Sequence, residues 1–243
     1  MSRFAGTIIA AVLLAIGIAV GGWLVGTGFH AARLADRFVT VKGLAERDVE
    51  ADLVIWPIGF VATGNDLAGV QAKIAQDAEI IRGFLEEAGI AAEAVEVSAV
   101  QVQDLLAQAY RSGPVESRYI IQETMLVRTT DIDAVVDAHA ASSALIAQGV
   151  VLGGEGGSSS GPSFVFTGLN EVKPEMIAEA TANAREAAAQ FAADSGSALG
   201  GIRRASQGLF QILPRDDVPG LFEPQQRNKR VRVVSTIEYF LRD

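Results

Sequence analysis

The stretch Val95-Glu96-Val97-Ser98-Ala99-Val100-Gln101-Val102 decides the fold, because apolar and polar side chains alternate along it. Such alternation predicts a strand with one buried face. A polar turn around residues 111–114 follows, and Tyr119–Thr129 then predicts a long returning strand. The two segments therefore predict a long antiparallel hairpin.

A helix is predicted on each side of this hairpin. The first begins at Asn65-Asp66, which offers an N-cap, and ends at Gly89, a typical C-terminal glycine. Between them, apolar residues recur at helical spacing and define one face: Val70, Ile74, Ala78, Ile81 and Leu85. The second helix is predicted to begin at Asp131 and to end at Gly149.

The C-terminal half echoes this arrangement. A third, alanine-rich helix is predicted to begin near Pro174 and to end at Gly196 and Gly200-Gly201. Strands are predicted over residues 202–213 and 231–241, separated by a loop. Repeated strand–helix–strand units of this kind predict an α+β fold with mostly antiparallel sheets and with helices packed on one face.

Three further strands are predicted. Residues 38–43 alternate, residues 50–62 form a longer apolar run, and residues 164–166 are short and apolar. Pro57 lies within the second run and cannot donate a hydrogen bond to a neighbouring strand. We therefore expect that strand to lie at an edge or to carry a bulge at Pro57.

Residues 7–28 contain no charged side chain. A helix of this length spans roughly the 30 Å of a bilayer's hydrocarbon core. We therefore predict a short basic N-terminus over residues 1–6, a transmembrane helix over 7–29, a linker over 30–37 and one domain over 38–243. The span also contains two Gly-x-x-x-Gly pairs, which we interpret as ordinary glycines of a membrane helix.

The apolar run is longer than that of a cleaved signal peptide, and no clear cleavage site follows it. An uncleaved anchor is therefore favoured, with a cleaved signal as the alternative. Basic residues flank the run on both sides, so the positive-inside rule is nearly balanced. We expect a single-pass protein of the inner membrane whose domain lies in the periplasm.

The composition excludes several classes of function. The net charge is −9 and the sequence holds no basic stripe, so we expect no nucleic-acid partner. The chain has no cysteine, which excludes disulfides, thiolate zinc sites and cysteine nucleophiles.

Candidate catalytic and metal-binding residues do not form a convincing site. Ser159 lies in a Gly-Ser-Ser-Ser-Gly stretch that fits a nucleophile elbow, but no helix is predicted after it, and both histidines, His30 and His139, precede it. We interpret that stretch as a flexible loop and His139 as a structural or surface residue. We assign no catalytic, cofactor-binding or metal-binding residue.

Charged and aromatic clusters receive similar interpretations. The acidic residues Glu46, Asp48, Glu50 and Asp52 are interpreted as a solvated loop rather than a cation site. The basic run over residues 227–232 is interpreted as the polar start of a strand; the alternative is contact with lipid headgroups or with the acidic cluster of a neighbour. Three aromatic residues are expected in the core or at a subunit contact: Trp56, Phe60 and Phe222.

Five segments together resemble the SIMPL-domain family of bacterial envelope proteins. They are Val39–Glu46 with Ala51-Asp52-Leu53, Glu86–Ile90 with the strand at 95–98, Tyr119–Gln122, Asp131–Val135, and Phe164–Phe166 with the helix containing Ala180, Ala184, Arg185 and Ala188. Three features depart from the family pattern: no proline precedes Asp52, Trp56-Pro57 is unusual, and a Gly/Ser loop replaces a short connection.

The resemblance implies an α+β domain without established catalytic residues. It also implies ring- or channel-like oligomers for some members and stress tolerance for others. We therefore expect a membrane-anchored, self-assembling or stress-related envelope component that is not an enzyme and needs no cofactor. The alternatives are a ligand-binding domain with an apolar pocket and a serine hydrolase that uses the Gly/Ser loop.

Overall fold

The computed structural model describes residues 13–28, 37–107, 116–153 and 161–242. Five predicted features lie outside these residues, wholly or in part: the basic N-terminus, the two ends of the transmembrane helix, the linker with His30, the turn at 111–114 and the loop with Ser159. Residues 13–28 form helix α1, in which every side chain is exposed. Among the residues described, no helix combines the length and the apolarity that a membrane crossing needs.

The remaining elements give an α+β fold, as predicted. In chain order they are strands β1 (Phe38–Glu50) and β2 (Leu53–Gly64), helix α2 (Leu67–Glu87), strands β3 (Val95–Asp104) and β4 (Tyr119–Thr129), helices α3 (Ile132–Ala141) and α4 (Ser143–Ala147), strand β5 (Ser163–Val165), helix α5 (Leu169–Asp194), and strands β6 (Ala198–Gln207), β7 (Gln211–Pro214) and β8 (Asn228–Arg242).

The strands form two four-stranded sheets. One has the order β1-β8-β6, with β7 paired to β8, and the other has the order β3-β4-β2-β5. The pairs β3–β4, β4–β2, β2–β5 and β6–β8 are antiparallel. The chain divides into two compact units, the first comprising residues 1–46, 174–210 and 232–243, and the second residues 47–173 and 211–231.

The second unit has the larger core. Helix α2 packs its apolar stripe on the face of β2 and β4 that carries Trp56, Phe60 and Met125, all of which are buried. The predicted caps of α2 are confirmed: the Asp66 carboxylate accepts a hydrogen bond from Gly69 N at 2.8 Å, and Gly89 has a φ of 84°. Helix packing on one face of the sheet therefore follows from the predicted stripe.

Pro57 lies in a strand that has partners on both sides. Strand β2 pairs with β4 along Val54–Gly64, and its other side pairs with β5 only over Leu53–Ile55. On that other side Val61 N also donates a hydrogen bond to Val151 O. Pro57 lies four residues before Val61, so its nitrogen, which carries no hydrogen, faces the stretch between the pairing with β5 and the contact with Val151. The strand is thus an edge only locally, and β2 and β4 pair at Pro57 without a bulge.

Several predicted boundaries are wrong. The strand predicted over residues 202–213 is two strands, β6 and β7, with residues 208–210 between them. Helix α5 begins at Leu169, so Pro174 lies inside it. The predicted second helix is interrupted at Ser142 and forms α3 and α4. Gly200 and Gly201 belong to β6, because α5 already ends at Asp194 and Gly196 adopts the positive φ of 66° that follows a helix end.

In the first unit, β1 crosses α5 at very close range. A Cβ at Gly43 would lie 1.8 Å from Ala180 O and 2.5 Å from Ala184 N. Both alanines are fully buried, and Ala184 packs with Val39, Ile237 and Tyr239. The alanine-rich face of α5 thus brings backbone against backbone, and only glycine fits on the strand.

We therefore expect Gly43→Ala to lower the free energy of unfolding by about 3 kcal/mol, because the added methyl group must displace the α5 backbone. Urea denaturation measures this loss. Gly83→Ala in α2 is the matched control: its Cβ would meet nothing within 4 Å, and removing a helical glycine should raise stability by about 0.5–1 kcal/mol. Equal effects of the two substitutions would contradict the close approach at Gly43.

Candidate functional site

The acidic residues Glu46, Asp48 and Glu50 lie on strand β1, not in a loop. All three are exposed, as alternate residues on one face of a strand. The prediction of a solvated loop is therefore wrong for these three residues. The strand continues past residue 43 because arginines of β8 and of the turn before it compensate the negative charge.

Two of these arginines belong to the second unit. Arg230 Nε donates to Asp48 Oδ1 at 2.8 Å, and its Nη2 donates to Oδ2 at 3.3 Å. Arg227 donates to both Glu50 and Asp133, which lies in the first turn of α3. The hydrogen bond from Arg230 holds the pKa of Asp48 below its usual value. The hydrogen bonds that Arg227 donates to Asp133 and Glu50 raise the pKa of its guanidinium above the usual value.

The basic run thus meets acidic residues of its own chain. In the first unit, Arg232 likewise lies 3.5 Å from Glu46. Strand β8 begins at Asn228, so the interpretation of the run as the polar start of a strand is confirmed. The positive and negative side chains compensate one another. The ion pairs therefore connect segments that are distant in sequence, and they leave little net charge to attract a ligand.

Asp52, the fourth residue of the acidic group, has a different position. Its Oδ1 accepts from Thr167 N at 2.8 Å, and its Oδ2 accepts from Thr167 Oγ1 at 3.0 Å and from Gly168 N at 2.9 Å. These donors directly precede α5. A carboxylate at this position accepts hydrogen bonds from main-chain N–H groups, and the positive end of the helix dipole stabilises its negative charge. Asp52 therefore fixes the start of α5.

Lys229 was not singled out from the sequence. Its side chain is fully buried, and Nζ lies 2.6 Å from both the backbone carbonyl oxygen and the carboxylate Oε1 of Glu223. The sequence does contain a signal for this burial, because Lys229 alternates with Val231 and Val233 on the buried face of β8. The pair ties the loop before β8 to that strand.

His139 was predicted to be either a structural or a surface residue, and the structure shows that it is exposed. Its ring meets the edge of the buried Trp56 ring at a centroid distance of 5.4 Å. Across the ranges that the structure describes, no group of three potential ligands is arranged to hold a metal ion. Trp56 and Phe60 belong to the core, whereas Phe222 is 68% exposed and does not.

A groove of about 410 Å³ lies between α2 and α3. It is lined by Phe84, Glu87, Ala88, Ala134, Asp137, Ala138 and Ala141. This groove lies between two helices and has two carboxylates at its wall, so it differs from the apolar pocket between sheet and helices that the ligand-binding alternative predicts. Ligand binding stays an alternative prediction, and Ser159 lies outside the described residues.

Strand β3 is the terminal strand of its sheet, and side chains on both of its faces are exposed from Glu96 to Val102. Val97, Val100 and Val102 are 46%, 59% and 55% exposed. Among the described residues, no strand pairs with the outer edge of β3. A long, apolar, open edge of this kind is a site for pairing with another chain.

Strand β6 has the same character in the first unit. It ends the order β1-β8-β6, and every residue from Gly201 to Gln207 is exposed. Two register shifts interrupt its pairing with β8 before Arg204, after which the pairing is regular. Helices α2 and α5 thus leave one strand of each sheet uncovered. These two open edges are the candidate functional surfaces.

We expect Asp52→Ala to lower the free energy of unfolding by about 2 kcal/mol, because three donors at the start of α5 lose one acceptor. Asp131→Ala is the matched control, since its carboxylate accepts a single cap bond, from Ala134 N; it should cost about 1 kcal/mol. Urea denaturation compares the two. A smaller loss for Asp52→Ala than for Asp131→Ala would contradict the role assigned to Asp52.

The ion pair of Asp48 predicts acid sensitivity. Its folded pKa lies below the unfolded value of about 4, so the pair contributes stability above about pH 4 and loses it as the pH falls through the folded pKa. Asp48→Asn removes this contribution at all pH values. We expect the urea midpoint of the wild type to fall more steeply below pH 4 than that of the variant. Parallel curves would contradict the prediction.

The comparison with known protein families identifies the family of the chain. The family described as "SIMPL: Protein of unknown function (DUF541)" matches residues 39–236. That range holds Gly43 and Asp52, and it contains both open edge strands. No curated protein matches the sequence. Because the match covers most of the chain, the protein belongs to the SIMPL family.

Proposed function

We propose that this protein is a membrane-tethered assembly module of the bacterial envelope, without enzymatic activity. Residues 7–29 cross the inner membrane once, and the domain lies in the periplasm. There it forms a scaffold by association with further copies, and it serves the envelope as a stress-related component. Its function is to pair strands with other chains, not to make or break covalent bonds.

The tether is supported by residues 7–28 and by the surface of helix α1. The run has no charge, and the described part is helical with large apolar side chains in the open. Trp23 is 70% exposed and Val25 is 73% exposed. Isolated apolar side chains on a surface are ordinary, but a whole helix of them needs an apolar environment. A bilayer supplies that environment.

The open edges of β3 and β6 are the observation that carries the proposal of assembly. Proteins usually protect a terminal strand with lysines, prolines or a covering element, since a free edge pairs with other chains. Neither strand contains lysine or proline, and both faces are exposed over residues 96–102 of β3 and 201–207 of β6. Two such edges on one chain favour association with more than one neighbour.

The proposal of a non-enzymatic role is supported by what the charged side chains do. Asp48, Glu50 and Asp133 accept hydrogen bonds from arginines, and Asp52 accepts from the start of α5. Each of these carboxylates has a structural task. These ionic arrangements are thereby accounted for without a substrate.

The full chain, purified in a mild detergent and measured by light scattering and native mass spectrometry, should form a complex of several copies at micromolar concentration. A strict monomer would contradict the assembly role. Protease treatment should degrade the domain in spheroplasts and spare it in intact cells. Degradation that requires cell lysis would place the domain in the cytoplasm, and recovery of the intact chain in the soluble fraction would overturn the tether.

A further inference from the structure

We propose that copies of this chain join head to tail, with the open edge of β3 in one copy pairing with the open edge of β6 in the next. The proposal rests on the assembly role above and names the two surfaces that meet. A contact between two different edges leaves one edge free at each end, so it continues from copy to copy.

The outward hydrogen-bonding groups of β3 follow from its pairing with β4. Leu105 N donates to Arg118 O at 2.9 Å, and the antiparallel register from Ala99 to Asp104 is regular. Main-chain groups alternate in direction along a strand. Residues 99, 101 and 103 therefore face β4, whereas the N–H and C=O groups of Val100 and Val102 point away from it.

The same reasoning applies to β6. Gly208 N donates to Val234 O at 2.8 Å, and the register continues with Ser206 opposite Thr236 and Arg204 opposite Glu238. The main-chain groups of Ala205 and Gln207 therefore point away from β8. Each chain thus carries two short, regular segments, residues 99–104 and 204–207, with donors and acceptors directed outward.

Charge decides which edges pair. Strand β3 carries two acidic residues and no basic one, Glu96 and Asp104, whereas β6 carries two arginines and no acidic residue, Arg203 and Arg204. Asp104 is bound by Arg118, and Arg203 is bound by Glu238, so Glu96 and Arg204 are the charges that these two ion pairs do not use. Pairing of β3 with β6 brings opposite signs together, and pairing of like edges brings equal signs together.

Apolar surface adds to this match. Val100 and Val102 pair opposite Glu123 and Ile121 and lie on the same face as α2, in the part of the sheet that α2 leaves open. On β6, Ile202 is 48% exposed. An added strand would cover these side chains at the margin of each core, and their burial would favour association.

Proline substitution tests the two edges separately. Val102→Pro removes an N–H group that points away from β4, so the hairpin keeps its internal hydrogen bonds while its outer edge is blocked. Ala205→Pro does the same for β6. Val102→Thr and Ala205→Thr are the matched controls, because they keep the N–H group and should assemble like the wild type. All variants are made in the full chain in mild detergent.

We expect each proline variant alone to be monomeric, since it retains only one type of edge. Mixed in equal amounts, the two should form a discrete dimer, in which β3 of the Ala205→Pro chain pairs with β6 of the Val102→Pro chain. Native mass spectrometry detects this one-to-one complex. Circular dichroism of each variant verifies that its secondary structure is unchanged.

The alternatives give different results. Dimers of Ala205→Pro alone would indicate pairing of β3 with itself, and dimers of Val102→Pro alone would indicate pairing of β6 with itself; either overturns the proposal. Proline variants that assemble like the wild type place the contact elsewhere, which overturns this inference and leaves the assembly role intact. A monomeric wild type instead overturns the assembly role.

Charge reversal tests the same contact without proline. Glu96→Arg and Arg204→Glu should each weaken association at least several-fold at low salt, because each gives the two edges net charges of the same sign. The double variant carries both changes in one chain, so it restores opposite signs and should recover most of the wild-type affinity. Failure of the double variant to recover association, with both single variants folded, would contradict head-to-tail pairing.

Discussion

The architecture of each unit depends on the number of strands that one helix can cover. A helix with its side chains is roughly 10 Å across, and neighbouring strands are about 4.8 Å apart, so one helix buries about two strands. Helix α2 packs on β2 and β4, and the core around α5 draws on β1 and β8. The third strand of each set, β3 or β6, is left at the margin with both faces exposed. The open edges are therefore a consequence of the packing.

The residues that resemble family motifs serve packing and capping. Gly43 permits the backbone of β1 to approach that of α5, and Asp52 holds the residues before α5 through three hydrogen bonds. The conspicuous charges of β1 and β8 bind one another. A sequence can thus contain glycines, carboxylates and arginines in characteristic positions because its architecture requires them, and motif residues of this kind do not imply a reaction.

Much of the fold was predictable because its signals are local. The caps at Asp66 and Asp131, the hairpin of β3 and β4 and the echo of that unit in the C-terminal half all follow from spacing within short windows. The helix start at Leu169 was missed because Pro174 is a stronger local signal than the residues before it, although a proline early in a helix loses only one main-chain hydrogen bond.

The candidate surfaces were harder to predict, since they depend on contacts that are distant in sequence. Asp48 and Arg230 are 182 residues apart, and no periodicity indicates that they pair. The acidic group therefore looked like a loop, and for the basic run a contact with lipid headgroups or with a neighbour stayed open as an alternative. Exposure of β3 on both faces was likewise hidden, because its alternating residues predict one buried face, and only the placement of α2 shows that this face is uncovered.

Amide hydrogen exchange on the assembled protein tests the central claim, that the uncovered strands are where copies meet. In peptides covering residues 99–104 and 204–207, the outward amides of Val100, Val102, Ala205 and Gln207 should exchange rapidly when the full chain is dilute and become protected together as the concentration rises. Protection of both segments at the same concentration is the predicted result. Rapid exchange of both segments in a complex of several copies, with new protection elsewhere in the chain, would contradict the claim.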